Sequence, residues 1–269
     1  MRIGCLIFAA LLSACAPRVT VSRGAEHPTI VSLNPCTDAV LAEVADPAQV
    51  LALSHYSQDP RASSMDVRVA RRFRVTGGTV EEVLALDPDV VVAGAFLPPA
   101  TRAGFERLGI RVETIGIATS AAESEAQVAE LAALAGHPER GAALNARVEA
   151  AMARARWDGP KVPTLLWQEG GIVPGEGTLI SNLLENAGFA NHSAARGLGQ
   201  GAYLPLERVL ADPPALVLAT SDERMLTHPV LRHLPGMRYG RLDSSLLYCG
   251  GPTIIRAAAR LAQLRKAIG

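Results

Sequence analysis

Aromatic residues are scarce: Trp, Tyr and Phe make up 4% of the 269 residues, so each one near a strand end carries more weight than usual. Neither sign of charge dominates, with Lys+Arg and Asp+Glu both at 26, and without a basic excess there is no electrostatic footprint for nucleic acid. Beyond the first fifteen residues no stretch reaches the ~18 uninterrupted apolar residues that a spanning helix needs. Also missing are the Gly-x-Ser-x-Gly nucleophile elbow, the Gly-x-x-x-x-Gly-Lys-Ser/Thr phosphate loop and Cys-x-x-Cys. "GLGQGA" (197 to 202) matches a dinucleotide fingerprint formally, but it neither follows a strand nor opens a helix and reads as a loop. His27, His55, His137, His192, His228 and His233 lack metal-ligand spacing and read as surface or loop residues, so no metal site is expected.

What is present begins with an address. In "MRIGCLIFAALLSAC", Arg2 precedes an apolar run too short to cross a bilayer, followed by the small residues a signal peptidase accepts. Leu-Ser-Ala-Cys resembles a bacterial lipobox, which implies a lipoprotein signal over 1–14, lipidation of Cys15 and a tether over 15–26. Ordinary cleavage at a similar place is the alternative. The mature chain is expected in the periplasm, lipid-anchored to the envelope and touching membrane only through that N-terminal lipid. Of four cysteines, Cys36 and Cys249 then remain as an even pair in an oxidising compartment.

Short Val-, Ile- and Leu-rich runs, each followed by a turn and a helical pattern, recur along the chain: "TIVSLN", "VLALSH", "PDVVVAG", "RVETIGI", "TLLWQE" and "ALVLAT". This alternation predicts an α/β fold with mainly parallel strands buried on both faces. "VEEVLALDPDVVVAG" (80 to 94) and "LERVLADPPALVLAT" (206 to 220) align without gaps, pairing Glu81 with Glu207, Val83 with Val209 and Pro88 with Pro214. Two similar lobes follow, over 27–119 and 158–269. Between them 120–157 is rich in Ala, Glu, Arg and Leu at helical spacing and predicts a long connector helix, broken or kinked near Gly136-His137-Pro138. A ligand cleft between the lobes, which move little relative to each other, is expected.

In parallel sheets ligands gather where strands turn into helix N-termini. "SLNPC", "SHYSQDP", "AGAFLPP", "WQEGGIVPGEGT" and "LLYCGGPT" occupy such positions. Together with "PGEGTLISNLLENAGFAN" and the ending "HPVLRHLPGMRYGRLDSSLLYCGGPTIIRAAARLA", these segments resemble the substrate-binding proteins of ABC importers for cobalamin and iron-siderophores, whose lobes are joined by a long helix. The resemblance covers nearly the whole mature chain. It implies a receptor without catalytic turnover or intrinsic cofactor, a monomer that binds cobalamin, a related tetrapyrrole or a ferric-siderophore and passes it to an ABC permease dimer in the inner membrane. Glu81 and Glu207 match the family's permease-docking carboxylates; the bland reading makes them first-turn glutamates that suit the helix dipole.

Candidate ligand-binding residues are Asn34, Pro35, Cys36, His55, Tyr56, Phe96, Trp167, Gly170, Tyr203, Tyr248 and Cys249, with Arg61, Arg102 and Arg196 as contributors toward an anionic ligand. Asn34 and Pro35 suit the cap and first residue of a helix, and Gly251 with Pro252 can play the same roles. Cys36 and Cys249 thus fall at the cleft ends of the two lobes, where a disulfide would pin the lobes if the Cα atoms approach within ~4.4–6.8 Å. Two thiols binding a soft metal is the competing reading. Alternatives for the whole chain are a receptor for bare zinc and a Cys36-His55 hydrolase.

Overall fold

A computed structural model describes residues 27–221 and 236–268. The expected leader over 1–14, the expected tether over 15–26 with Cys15, and His228 and His233 lie outside the described residues. The first sheet contains β1 (Ile30–Ser32), β2 (Val50–Ser54), β3 (Val75–Thr76), β4 (Val90–Gly94) and β5 (Arg111–Ile115), in the order β3-β2-β1-β4-β5. The second contains β6 (Val162–Trp167), β8 (Phe189–Asn191), β10 (Leu216–Ala219) and β11 (Arg238–Arg241), in the order β11-β10-β6-β8. All pairs within these two sheets are parallel. The internal repeat is visible in this order: β2-β1-β4-β5 of one sheet corresponds to β8-β6-β10-β11 of the other. A small antiparallel pair, β7 (Ile172–Val173) with β9 (Ala202–Tyr203), is added in the second lobe.

Period-two alternation explains how each strand buries both faces. Ile30, Val90 and Val92 point into the largest core, whereas Val31 and Val91 pack on the opposite face with Val83 of α3 (Val80–Leu84) and Phe105 of α4 (Pro99–Arg107). In the second sheet Leu166, Leu216 and Leu218 join the same large core, while Leu165, Trp167 and Val217 face Val209 of α8 (Leu206–Ala211). Both sheets therefore share one core, filled between them by α1 (Pro35–Val44), α5 (Ala121–Leu134), α6 (Pro138–Ala155), α7 (Leu179–Asn186) and α9 (Pro252–Ala267). Beside it, α2 (Val67–Ala70) is a single turn capped by Asp66.

The connector is helical as expected, but its break is a full reversal rather than a kink. Gly136 adopts φ +81° and Pro138 opens α6, so α5 and α6 run back along each other. Gly141 lies against Ala132, where an added Cβ would come 2.5 Å from its methyl carbon, and Asn145 Nδ2 donates to Glu125 O at 2.9 Å. Only α6 leads on to the second lobe. His137, expected near the surface, is buried at the reversal with Nε2 3.0 Å from Gln49 Oε1, and His192 is buried as well.

Helix α1 starts as its sequence predicts: Asn34 Oδ1 accepts from Cys36 N and Thr37 N, and Pro35 occupies the first helical position. One residue further, the Asp38 carboxylate is fully buried and ties α1 to the end of β2 by accepting from Ser54 N (2.9 Å) and Ser57 Oγ (2.6 Å). Burial pushes this carboxyl up to about 8, against the opposing pull of the Ser32 and Ser57 hydroxyls and the Ser54 amide. Unfolded, it titrates near ~4, so between about pH 4 and 8 the folded chain keeps a proton that the unfolded chain has released. Asp38 therefore contributes stability that is full below pH ~4 and is lost as pH rises toward 8. Asp38→Asn should flatten the fall of Tm between pH 5 and 8.5 in calorimetric scans. Equal slopes in the two proteins would show that the carboxyl is ionised throughout.

Candidate functional site

A cavity of about 420 Å³ opens between the lobes, lined by turns at the carboxyl ends of both sheets. The first lobe contributes Asn34 and Cys36 after β1, Phe96 after β4, and Ile117 and Thr119 after β5. From the second come Gln168 after β6, Thr178 at the start of α7, Gln200 and Gly201 from the 197–202 loop, and Tyr248 to Gly251 before α9. Ser124, Gln127 and Leu131 of α5 also line it. This is the placement expected for ligands of parallel sheets.

The two cysteines meet across this cleft. Cys36 and Cys249 form a disulfide with Cα atoms 5.0 Å apart, joining positions separated by 213 residues. The "CGGPT" stretch has the shape this demands. A Cβ on Gly250 would lie 2.2 Å from Ser124 Oγ, and Gly251 combines φ +56° with a Cβ position 2.8 Å from Val40 Cγ2. Only residues without side chains let the backbone come this close, and Gly251 N donates to Ser124 Oγ at 2.7 Å. Further ties cross between the halves: Arg256 Nη1 donates to Ser64 O at 2.7 Å, and Ala121 N to Asn182 Oδ1 at 3.1 Å.

Of the residues selected from sequence, Asn34, Cys36, Phe96, Tyr248 and Cys249 line the cavity. Phe96 is 83% exposed and Tyr248 44%, which leaves ring area available to a ligand. Pro35 sits in the α1 cap and does not line it. His55 and Tyr56 stack on each other, ring centroids 4.0 Å apart, in the turn after β2, and Tyr203 and Gly170 are exposed on the second lobe; none of these four lines the cavity. Trp167 requires correction. It is 0% exposed and packs with Leu165 and Val217 in the outer core, because it shares the β6 face of Leu165 two residues earlier.

The arginines selected for an anionic ligand have internal partners: Arg61 pairs with Asp59, Arg102 donates to Thr114, and Arg196 pairs with Asp212. No cluster of three or more His, Cys, Asp or Glu suited to a metal occurs among the described residues, so the bare-zinc site is not assembled there. With Cys36 held in the disulfide, the Cys36-His55 pair has no thiol to activate. Sequence reasoning missed the amides Gln127, Gln168 and Gln200 and the hydroxyls Thr119 and Thr178. The signal for Gln168 and Thr178 was their place inside the quoted "WQEGGIVPGEGT" loop.

A cleft between two parallel-sheet lobes sharing a helical layer defines a two-lobed solute-binding protein. The sequence profile described as periplasmic binding protein matches residues 30–242, and the chain belongs to that family. A search of curated protein sequences finds no match. Among solved structures, the periplasmic heme-binding protein RhuT from Roseiflexus sp. RS-1 superposes with TM-score 0.66 at 23% identity, over 90% of this chain and 97% of that one. The vitamin B12 binding protein BtuF of Vibrio cholerae gives 0.68 at 17%, over 89% and 96%. A heme binding protein from Pseudomonas aeruginosa gives 0.69 at 22%, over 88% and 92%. At these identities the likeness establishes the fold.

Removing the disulfide tests its part in the cleft. In the loop-entropy account a bridge closing a loop this long contributes at most about 5 kcal/mol. The Cys36→Ser, Cys249→Ser double variant should stay folded on its shared core while losing about 10 °C in Tm. An unchanged melt, with both thiols alkylated in the unreduced wild type, would show that the bridge does not form.

Proposed function

We propose that this chain is the receptor of an ABC importer: it captures a bulky metal chelate, a corrin, related tetrapyrrole or iron-siderophore complex, in the interlobe cleft and passes it to a membrane permease. The observation that carries this reading is the cleft itself, preformed between two lobes locked by a common core and a disulfide and edged with exposed Phe96 and Tyr248. Flat apolar rings suit the face of a macrocycle or chelate. No helix among the described residues is long and apolar enough to cross a membrane, in keeping with attachment through lipid on Cys15.

Docking to the permease is assigned to Glu81 and Glu207. Both are exposed, and each lies in the first turn of a short helix, two residues before a buried valine, Val83 or Val209. The repeat thus places one carboxylate on each lobe at equivalent positions. Rim charges of this kind set orientation and encounter rate more than affinity.

Protein purified from its own periplasm should carry a cobalt-corrin spectrum, a tetrapyrrole band or a ferric charge-transfer band, read by absorbance and native mass spectrometry. A colourless protein that ignores every one of these ligands when they are added would end the receptor reading. Glu81→Lys with Glu207→Lys should abolish import, since the resemblance implies permease arginines opposite these carboxylates and like charges facing across an interface cost several kcal/mol, while ligand affinity in solution stays unchanged. Single Glu→Ala changes should weaken permease association about fivefold at most. Import at the wild-type rate in the double variant would return both residues to the role of helix-dipole partners.

A further inference from the structure

The chemical character of the cavity lining narrows the ligand. Among the described residues that line it, none is Asp, Glu, Lys, Arg, His or Met, and both cysteines are joined to each other. Its polar side chains are the amides of Asn34, Gln127, Gln168 and Gln200 and hydroxyls such as those of Thr119 and Thr178.

Two consequences follow. A ligand with net charge, once withdrawn from water, needs a countercharge, and among the described residues none lines the cleft. The charged residues next in sequence to the lining residues are all acidic, among them buried Asp38, Glu123, engaged by Thr119 N and Oγ1 at 2.8 Å each, and exposed Glu130, Glu169 and Glu176. The exposed ones disfavour an anion further. Second, a metal with an open coordination position seeks an imidazole, thiolate, thioether or phenolate. Among the described residues, Tyr248 is the one lining side chain of any of these types. Amides, in contrast, pair readily with amides, donating and accepting at once.

We infer that the cleft is built for an electroneutral metal chelate whose coordination sphere is already complete and whose periphery carries amide groups. This rests on the receptor reading above and separates this cleft from one for a propionate-bearing tetrapyrrole with an open axial position or for a polyanionic ferric catecholate. Two sources share the inferred chemistry, an amide-fringed corrin and a ferric trihydroxamate peptide.

The test measures binding of the whole mature protein, by tryptophan fluorescence and calorimetry, to four probes: cyanocobalamin, a ferric trihydroxamate cyclic peptide, hemin and a ferric tris-catecholate. One or both of the first two should bind at least about 100-fold more tightly than hemin or the tris-catecholate, because the excluded probes bury charge without a partner. Preference for cyanocobalamin identifies the corrin source, preference for the trihydroxamate the siderophore source, and either supports the inference. Tighter binding of hemin or the tris-catecholate overturns it while leaving the receptor reading intact, whereas failure of all four probes removes both. In a second arm, Tyr248→Phe should leave the visible spectrum of the bound chelate unshifted. A displaced metal band would show that the phenol coordinates the metal and that the ligand's own sphere is incomplete.

Discussion

The arrangement depends on one shared apolar layer. Helices α1, α5, α6, α7 and α9 lie between two parallel sheets, and side chains from both, Ile30 and Val92 on one side and Leu166 and Leu218 on the other, belong to the same buried cluster. Hinging the lobes apart would pull on this layer. At ~25 cal/mol per Å², exposing even ~200 Å² of it would cost about 5 kcal/mol. The Cys36–Cys249 bridge crosses the same gap from the cleft side. Motion is therefore opposed both by a distributed apolar contact and by a covalent bond, an arrangement that favours a cleft of the same shape with and without ligand. Binding to such a site loses little free energy to ordering.

The repeat and the alternation of strand and helix made most of this architecture legible beforehand. Uninterrupted runs such as Val90-Val91-Val92 have no polar face to solvate, so they fit only a strand covered on both sides. Caps were equally readable, because Asn34-Pro35 and Gly251-Pro252 each combine a residue suited to a helix start with a ring that fixes the first helical φ. The short strands β3, β7 and β9, two residues each, carry too little pattern to stand out from loops.

The errors also have physical causes. Trp167 ends its strand, and from sequence its ring can point either into the cleft or into the outer core; alternation from buried Leu165 settles it for the core. The connector reversal was underestimated because Gly136 and Pro138 permit a kink as well as a turn. The close approach of Gly141 to Ala132 decides between them, and that is a tertiary contact with no local signature. Aromatics drew attention to the cleft, yet much of its polar lining is amide and hydroxyl. Such residues are common in any loop, so their convergence becomes visible only when turns 200 residues apart are folded together.

Rigidity also constrains how a receptor of this kind would announce its cargo. Glu81 and Glu207 sit on helices whose valines, Val83 and Val209, are buried in the outer cores, so their spacing is set by the packed sheets and not by flexible loops. Two fixed charges suit a partner that presents two matching sites, since engaging the first raises the effective concentration at the second only if the separation is correct. A lobe closure large enough to change that separation is the motion the shared core opposes. On the proposed docking role, occupied and empty forms would therefore offer nearly the same docking points. Under the proposed receptor role, discrimination between them would come from the mouth of the cleft, where exposed Phe96 and Tyr248 would either meet solvent or be covered by a ligand whose outer surface the permease then touches.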